Sequence, residues 1–448
     1  MRTFAHATIV AVTLALVACG GDDKKVTYPT TTDAGAPTTS DDNAVKTGDG
    51  AQVGVTDGQE LGDAKGLYQE GFAAWTNGDL LTAKAKFTEA TKKDPKGPTA
   101  FYSLGCVLER LGDNAGAQAA YKGAFTAKPD YELAIGAYAI SVAKSGNVSD
   151  ATNFLNTQKS KLPNSPRIMN YLAEVRSIAK DSAGAQQAAQ DALRLDSNYK
   201  DAMVTIARDF HRNGKDELAK YALTAILVGF GQATPARDPE NPEAHLLRGL
   251  IERSNNQRIA AMKDFEAARS KRPDLVEATI QIGAMKLEAG DAAGAQPLLE
   301  TAVKYAPNQP IGHLNLGDCY RLAGRLADAK KELDTALAQD STLMAAHYAF
   351  GLMYLNAPSF PGLSANDQVG AAIRELNLYK TMRGPKPLPG VTDDIDELIT
   401  KANKKKEDAA NATAIAAATP AAPAPPTPAP APAAVDAGKP RGSLDRTF

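Results

Sequence analysis

PKGPTAFYSLGCVLERLGDNAGAQAAYKGAFTAKP, residues 95–129, opens and closes on a proline and sets two helical stretches either side of Gly112. The step from Pro95 to Pro129 is 34 residues, and the same step leads on to Pro163 and then to Ser197. Further along, Pro273, Pro307 and Ser341 are again spaced by 34. The gap from Ser197 to Pro273 is 76 residues, two steps of 34 plus 8. Other positions share the period. Ala83, Ala117, Ala151, Ala185, Ala219, Ala261, Ala295 and Ala329 form one ladder. Four residues on stand Phe87, Tyr121, Leu155, Ala189, Leu223, Phe265, Leu299 and Leu333. A third ladder is Gly71, Gly105, Ala139, Ala173, Ala207, Gly249, Gly283, Gly317 and Gly351. Two antiparallel helices approach closely only where one offers a small residue and the other inserts a large one. Gly78, Gly112, Gly146, Gly214, Gly290 and Gly324 fall between the two stretches, where a positive φ costs glycine nothing. A proline after the second helix stops it and sets the angle to the next hairpin.

A fixed period of this length with these small, large and turn positions resembles the tetratricopeptide repeat family over residues 64 to about 382. The resemblance implies an all-α solenoid, a right-handed superhelix of about nine helical hairpins, with repeats starting at 64, 98, 132, 166, 200, 242, 276, 310 and 344. Repeats 1–5 then fill 64–233, a loop spans 234–241 that could divide the solenoid into two rigid halves, and repeats 6–9 fill 242–391. Repeat 4 departs from the pattern at Arg176 and Lys180, and repeat 9 carries a Pro/Gly-rich insertion from Asn356 to Asn366. Ala372, Leu376 and Tyr379 resume the second-helix pattern after it.

Residues 392–410 read as a capping helix with Ile395, Leu398, Ile399 and Ala402 on one stripe. Its acids come first (Asp393, Asp394, Asp396, Glu397) and its lysines last (Lys401, Lys404, Lys405, Lys406), the order a helix dipole favours. Disordered arms are expected at both ends. Residues 19–60 are poor in apolar side chains and read as a flexible tether, with a mean span of roughly 35 Å for about 40 residues. Residues 411–448 form an Ala/Pro-rich tail; its stretch of about 22 residues from Thr419 to Pro440 favours extended polyproline II and reaches roughly 70 Å. The charged end Lys439 to Phe448 reads either as a docking peptide on a stiff spacer or as a frayed terminus.

At the other end Arg2 precedes an apolar run, Ile9 to Val17, well short of the roughly 20 residues that span a bilayer. Residues 1–18 read as a signal peptide, and Leu16-Val17-Ala18-Cys19 resembles the lipobox of bacterial lipoproteins. That resemblance implies that Cys19 is acylated and anchors the chain stably through two or three acyl chains. Gly20, where aspartate would favour inner-membrane retention, points to the outer membrane, with the body facing the periplasm.

Fifty Lys+Arg against 52 Asp+Glu and a pI near 6.3 leave no basic excess to drive nucleic-acid binding. The sequence carries no phosphate-binding Gly-rich loop, His-Glu-x-x-His or nucleophile elbow, so no enzyme activity, cofactor, metal or small-molecule substrate is expected. His245, His313 and His347 share the fourth place of their repeats and read as packing residues, spaced on the order of 10 Å apart, too far for a shared zinc. Cys106 and Cys319 lie too many repeats apart for a disulfide and read as small packed residues.

In tetratricopeptide repeats the first helices line a concave groove, touched by ligands at places 2, 5, 9, 12 and 13; carried over, these places give two patches. Tyr68, Phe72, Trp75 and Tyr102 suit an apolar or proline-containing peptide, or else pack repeat 1 against the tether. Arg167, Arg208, His211, Arg212 and Arg253 suit an acidic segment, or else form a solvated face neutralised by Glu174 and Asp201. The Lys/Asn clamp of chaperone-binding relatives is not reproduced, because Asn170 is followed by Glu174 where a second Asn is wanted. The layout is similar to the tetratricopeptide lipoproteins of bacterial gliding-motility complexes. It implies an outer-membrane scaffold that binds envelope or motility proteins through the groove. Two alternatives stand beside it: a pilotin-like assembly factor for a type IV pilus secretin or outer-membrane complex, and a regulator of a peptidoglycan enzyme.

Overall fold

The computed structural model describes residues 62–232, 234–384 and 394–418. Cys19, the signal segment, the tether and the tail beyond residue 418 lie outside these residues. A short 3-10 turn, Gly62–Ala64, leads into nine consecutive hairpins. They pair α1 (Lys65–Thr76) with α2 (Leu80–Lys93), α3 (Pro98–Arg110) with α4 (Asn114–Ala127), and α5 (Glu132–Lys144) with α6 (Val148–Lys161). Next come α7 (Pro166–Ile178) with α8 (Ser182–Leu195), α9 (Lys200–Arg212) with α10 (Asp216–Leu227), and α11 (Pro242–Ser254) with α12 (Arg258–Lys271). The last are α13 (Val276–Glu288) with α14 (Ala292–Tyr305), α15 (Pro310–Leu322) with α16 (Leu326–Gln339), and α17 (Met344–Asn356) with α18 (Ala365–Arg383).

Most hairpins are held by a small-to-large contact; in repeat 4 both places are alanine, Ala173 and Ala189. A Cβ on Gly105 would lie 2.3 Å from the ring of Tyr121, and one on Gly249 would lie 2.7 Å from Phe265. Gly71 faces Phe87 in the same way, so all three aromatic members of the large ladder stand against glycine. Leu299, Leu333 and Leu376 stand against Gly283, Gly317 and Gly351 in the same way. The turns are equally local. Asp79, Asp113, Asp181 and Asp291 cap the second helices by accepting from the backbone N–H three residues on. Prolines 98, 166, 242 and 310 occupy the first turn of their helices, where a missing N–H is harmless.

Six turns use glycine at positive φ; repeats 4 and 6 place Lys180 (φ 63) and Asn256 (φ 61) there instead. The left-handed conformation costs a side-chain-bearing residue about 1–2 kcal/mol. Lys180→Gly is therefore expected to stabilise the chain by about 1 kcal/mol, offset in part by the flexibility it adds to the unfolded state. Thermal melting of the two proteins tests it.

Two boundaries differ from those read in the sequence. The loop between repeats 5 and 6 begins at Val228, six residues earlier than position 234, because α10 ends at Leu227. That loop is tied down: Asp238 N–H donates to Ile226 O at 2.8 Å, and the Arg237 guanidinium donates to Ser197 O in the preceding inter-repeat loop. Both bonds run back to repeat 5 and the loop before it. The terminal helix α19 (Ile395–Ala418) runs through the Ala-rich stretch 409–418 assigned to the tail, since alanine favours helix and the first proline comes only at 420. Ile395 and Ala402 of α19 are fully buried, Tyr348 donates to Asp394 at 3.0 Å, and Lys405 reaches Leu355 O at 2.7 Å.

The three place-four histidines bond their hairpins together. His245, His313 and His347 each set Nδ1 2.6–2.8 Å from a carboxylate on the second helix, Asp264, Glu332 and Glu375 respectively. Nε2 of His245 and of His313 faces the carbonyl of Pro239 and Pro307. Cys106 and Cys319 are buried and free.

Candidate interaction surface on the concave face

The superhelix turns back on itself. The turns of repeats 1 and 2 meet the loops that follow repeats 6 and 7. Tyr305 donates to Thr76 O at 2.6 Å, the Lys304 chain lies against Gly78, and the Asn308 amide lies against Gly112. Arg110 closes the contact from within: it donates to Tyr305 O at 3.2 Å and Asp274 O at 3.1 Å, and lies 3.6 Å from the Asp274 carboxylate. Its guanidinium also covers the Trp75 ring at 5.0 Å from the centroid. Burial pulls the Arg110 pKa down, and Asp274 offsets that most.

This closure changes the role of the aromatic patch. Tyr68 is 1% exposed and packs on Phe87 at 5.4 Å, its hydroxyl accepting from Ser103 at 3.3 Å. Phe72 and Trp75 are buried in the same cluster. Tyr102 stands edge-on to Tyr131 at 5.8 Å and tilted against Tyr121 at 5.8 Å. The four rings are core, not an open groove, because adjacent first helices bring their inner faces together and the second turn covers Trp75.

The arginine patch is also internal. Arg208, only 8% exposed, bridges Glu174 at 3.9 Å and Glu243 at 3.4 Å. Glu243 also takes Arg272 at 2.9 Å; Arg272 lies 3.6 Å from Asp274, and Asp274 leads to Arg110. A chain of alternating charges thus links the patch to the aromatic cluster, two sets that the sequence kept apart. Arg167 lies 3.7 Å from Glu132. Arg212 donates to Ser177 at 2.8 Å, His211 meets Asp216 at 2.7 Å, and Arg253 pairs with Gln281 and Glu288. An acidic ligand would have to displace these partners, so the expected anion site is already filled by the chain's own carboxylates and amides. Asn170 Oδ1, Glu174 Oε2 and Glu277 Oε2 are buried without a hydrogen-bond partner.

Glu277 is the most perturbed of these three residues. Burial, and then the neighbouring Glu243, push its carboxyl up from 4.5 to about 8, with Arg208 opposing. The folded chain holds a proton on Glu277 that the unfolded chain releases. Its contribution is complete below about 4.5 and is lost as pH rises through about 8. Glu277→Gln, neutral at every pH, is expected to raise stability by about 2 kcal/mol at pH 6 and to leave it unchanged at pH 4. Urea titrations at the two pH values read the difference.

Two features escaped the sequence: Arg110 with its partners Asp274 and Tyr305, and an exposed aromatic pair, Tyr221 and Phe230, whose rings stack at 4.8 Å. The first joins residues 164 and 195 positions apart, which no repeat register pairs. The second had a signal in the eight-residue insertion itself. No group of His, Cys, Asp and Glu able to hold a metal occurs among the described residues.

Hairpin stacking, the small-to-large ladder and positive-φ turns define a helical-repeat scaffold of the kind that binds other proteins. The chain is a tetratricopeptide repeat protein: tetratricopeptide repeat models match residues 68–132 and 286–349. It is similar to cellulose synthase operon protein C of Xanthomonas axonopodis pv. citri (strain 306), 24% identical over 317 residues, which are 69% of this chain and 19% of that protein. The chain therefore spans about a fifth of that relative's length. Among solved structures it resembles a chain of the APC/C hetero-tetramer Cut9–Hcn1, with a TM-score of 0.53 and 14% identity over 72% of this chain and 59% of that one. Yeast Tom70 has a TM-score of 0.45 and 16% identity over 64% of this chain and 63% of that one. At these identities the likeness to the solved structures is one of fold.

Proposed function

We propose that this tetratricopeptide scaffold is anchored in the outer membrane by lipid on Cys19, faces the periplasm, and holds together components of a multiprotein envelope machine, gliding motility being the leading candidate. The reading rests on one observation: the concave face is filled by paired side chains while the second helices and loops present their surface outward. Such a body suits the role of a shaped spacer whose outer faces carry partners, and the lipobox-like Leu16 to Cys19 supplies the membrane attachment. The likeness to a cellulose synthase operon protein favours a second machine, one that makes or exports a surface polysaccharide.

The test is co-purification from envelope fractions of the native chain and of Cys19→Ser. The native chain is expected in the outer-membrane fraction with a fixed set of envelope proteins, and Cys19→Ser in the soluble fraction without them. Motility proteins in the captured set support the first machine and polysaccharide-synthesis proteins the second. Unchanged fractionation of Cys19→Ser, or a set with no envelope component, contradicts the proposal.

A further inference from the structure

The eight residues that interrupt the period between repeats 5 and 6 build a pinned loop. Phe230 N–H donates to Thr234 O at 2.8 Å, and Gly229 bridges to Pro235. Gly229 has φ +77, and a Cβ there would lie 2.5 Å from the backbone of Thr234, Pro235 and Ala236, so only glycine fits. The loop holds the Phe230 ring over Tyr221 of α10, 4.8 Å between centroids and 27° between planes. Both rings face solvent, Tyr221 at 66% and Phe230 at 47% exposure, and Leu218 and Val228 beside them are exposed as well. A contiguous apolar patch on a fixed frame marks an interaction site more than scattered single residues do.

We propose that the Tyr221–Phe230 pair is the docking site for the chain's own Ala/Pro-rich segment, residues 419–440. Proline-rich segments dock on exposed aromatic faces, because their preset backbone loses little entropy on binding and their rings pack flat on the aromatic surface. The segment has eight prolines between 419 and 440 and no charged residue from Thr419 to Val435. It suits the apolar faces of the two rings. It also follows directly on α19, so it is covalently held at an effective concentration of about 1 mM or less, which favours it over a free peptide of equal intrinsic affinity. Its extended reach of roughly 70 Å gives it access to much of the body.

The test uses the full mature chain with a photoreactive phenylalanine analogue in place of exposed Leu218, as an equal mixture of isotopically heavy and light copies. Irradiation is expected to join position 218 to residues 419–440 of the same copy, and Phe230→Ala or Tyr221→Ala to cut the yield about tenfold. Both rings are exposed, so thermal melting should stay unchanged and exclude misfolding as the cause. Heavy-to-light products, products with other segments only, or a yield indifferent to Phe230→Ala overturn the proposal.

Discussion

Arg110→Met is expected to destabilise the chain by about 3 kcal/mol and to let the second superhelical turn lift off the first. The guanidinium spans the closure, donating to Tyr305 O and Asp274 O while lying over Trp75. Methionine preserves much of the apolar volume over the indole but leaves the half-buried Asp274 carboxylate with Arg272 as its remaining cation at 3.6 Å. Removing one partner of a buried ion pair costs about 3–5 kcal/mol, mostly through the charge left behind. The low end applies here because Arg272 remains. Urea unfolding gives the energy and small-angle scattering the opening. A solenoid whose repeats touched only their neighbours would show neither.

Gly105→Ala is expected to destabilise by about 2 kcal/mol although alanine is the better helix former. Helix propensity favours alanine by about 1 kcal/mol. Against it, the added Cβ would sit 2.3 Å from the Tyr121 ring, which is fully buried and anchored by its hydroxyl bond to Glu109 at 2.9 Å. Overpacking costs about 1–3 kcal/mol, and at so short an approach the upper part of that range applies. Tyr121→Leu in the Gly105→Ala background should recover most of the loss, because Ala139 with Leu155 and Ala207 with Leu223 already use that pairing. Gly66→Ala is the control: nothing lies within 4 Å of its Cβ, so only the propensity gain remains. Thermal unfolding of the set separates ring packing from helix propensity.

These two residues also mark what the sequence made legible. Gly105 was readable because a hairpin's packing repeats with the chain's own period, so Gly and Ala aligned against Phe, Tyr and Leu wherever the same contact recurred. Arg110 was not, because its partners are set by the pitch of the superhelix, a sum of small rotations at every repeat boundary that no single repeat encodes. The same cause reversed the reading of the candidate site. Places 2, 5, 9, 12 and 13 can be counted along each repeat, but exposure there depends on how tightly the helices wind. Wound this closely, Tyr68, Trp75 and Tyr102 become core, and Arg208 finds Glu174 and Glu243 before any ligand. The α19 boundary was misplaced for a simpler reason: an Ala-rich stretch reads as tail beside prolines and as helix beside a cap, and helix propensity prevailed up to Ala418.

The central claim is that the second superhelical turn rests on the first. It is tested most directly by cysteines at the exposed positions Thr76 and Lys304, joined by a short bismaleimide, with Cys106 and Cys319 buried and out of reach. Rapid crosslinking within one chain is expected, lost in the Arg110→Met background. No crosslink in the otherwise native chain, at a concentration where both cysteines react with a monofunctional maleimide, would contradict it.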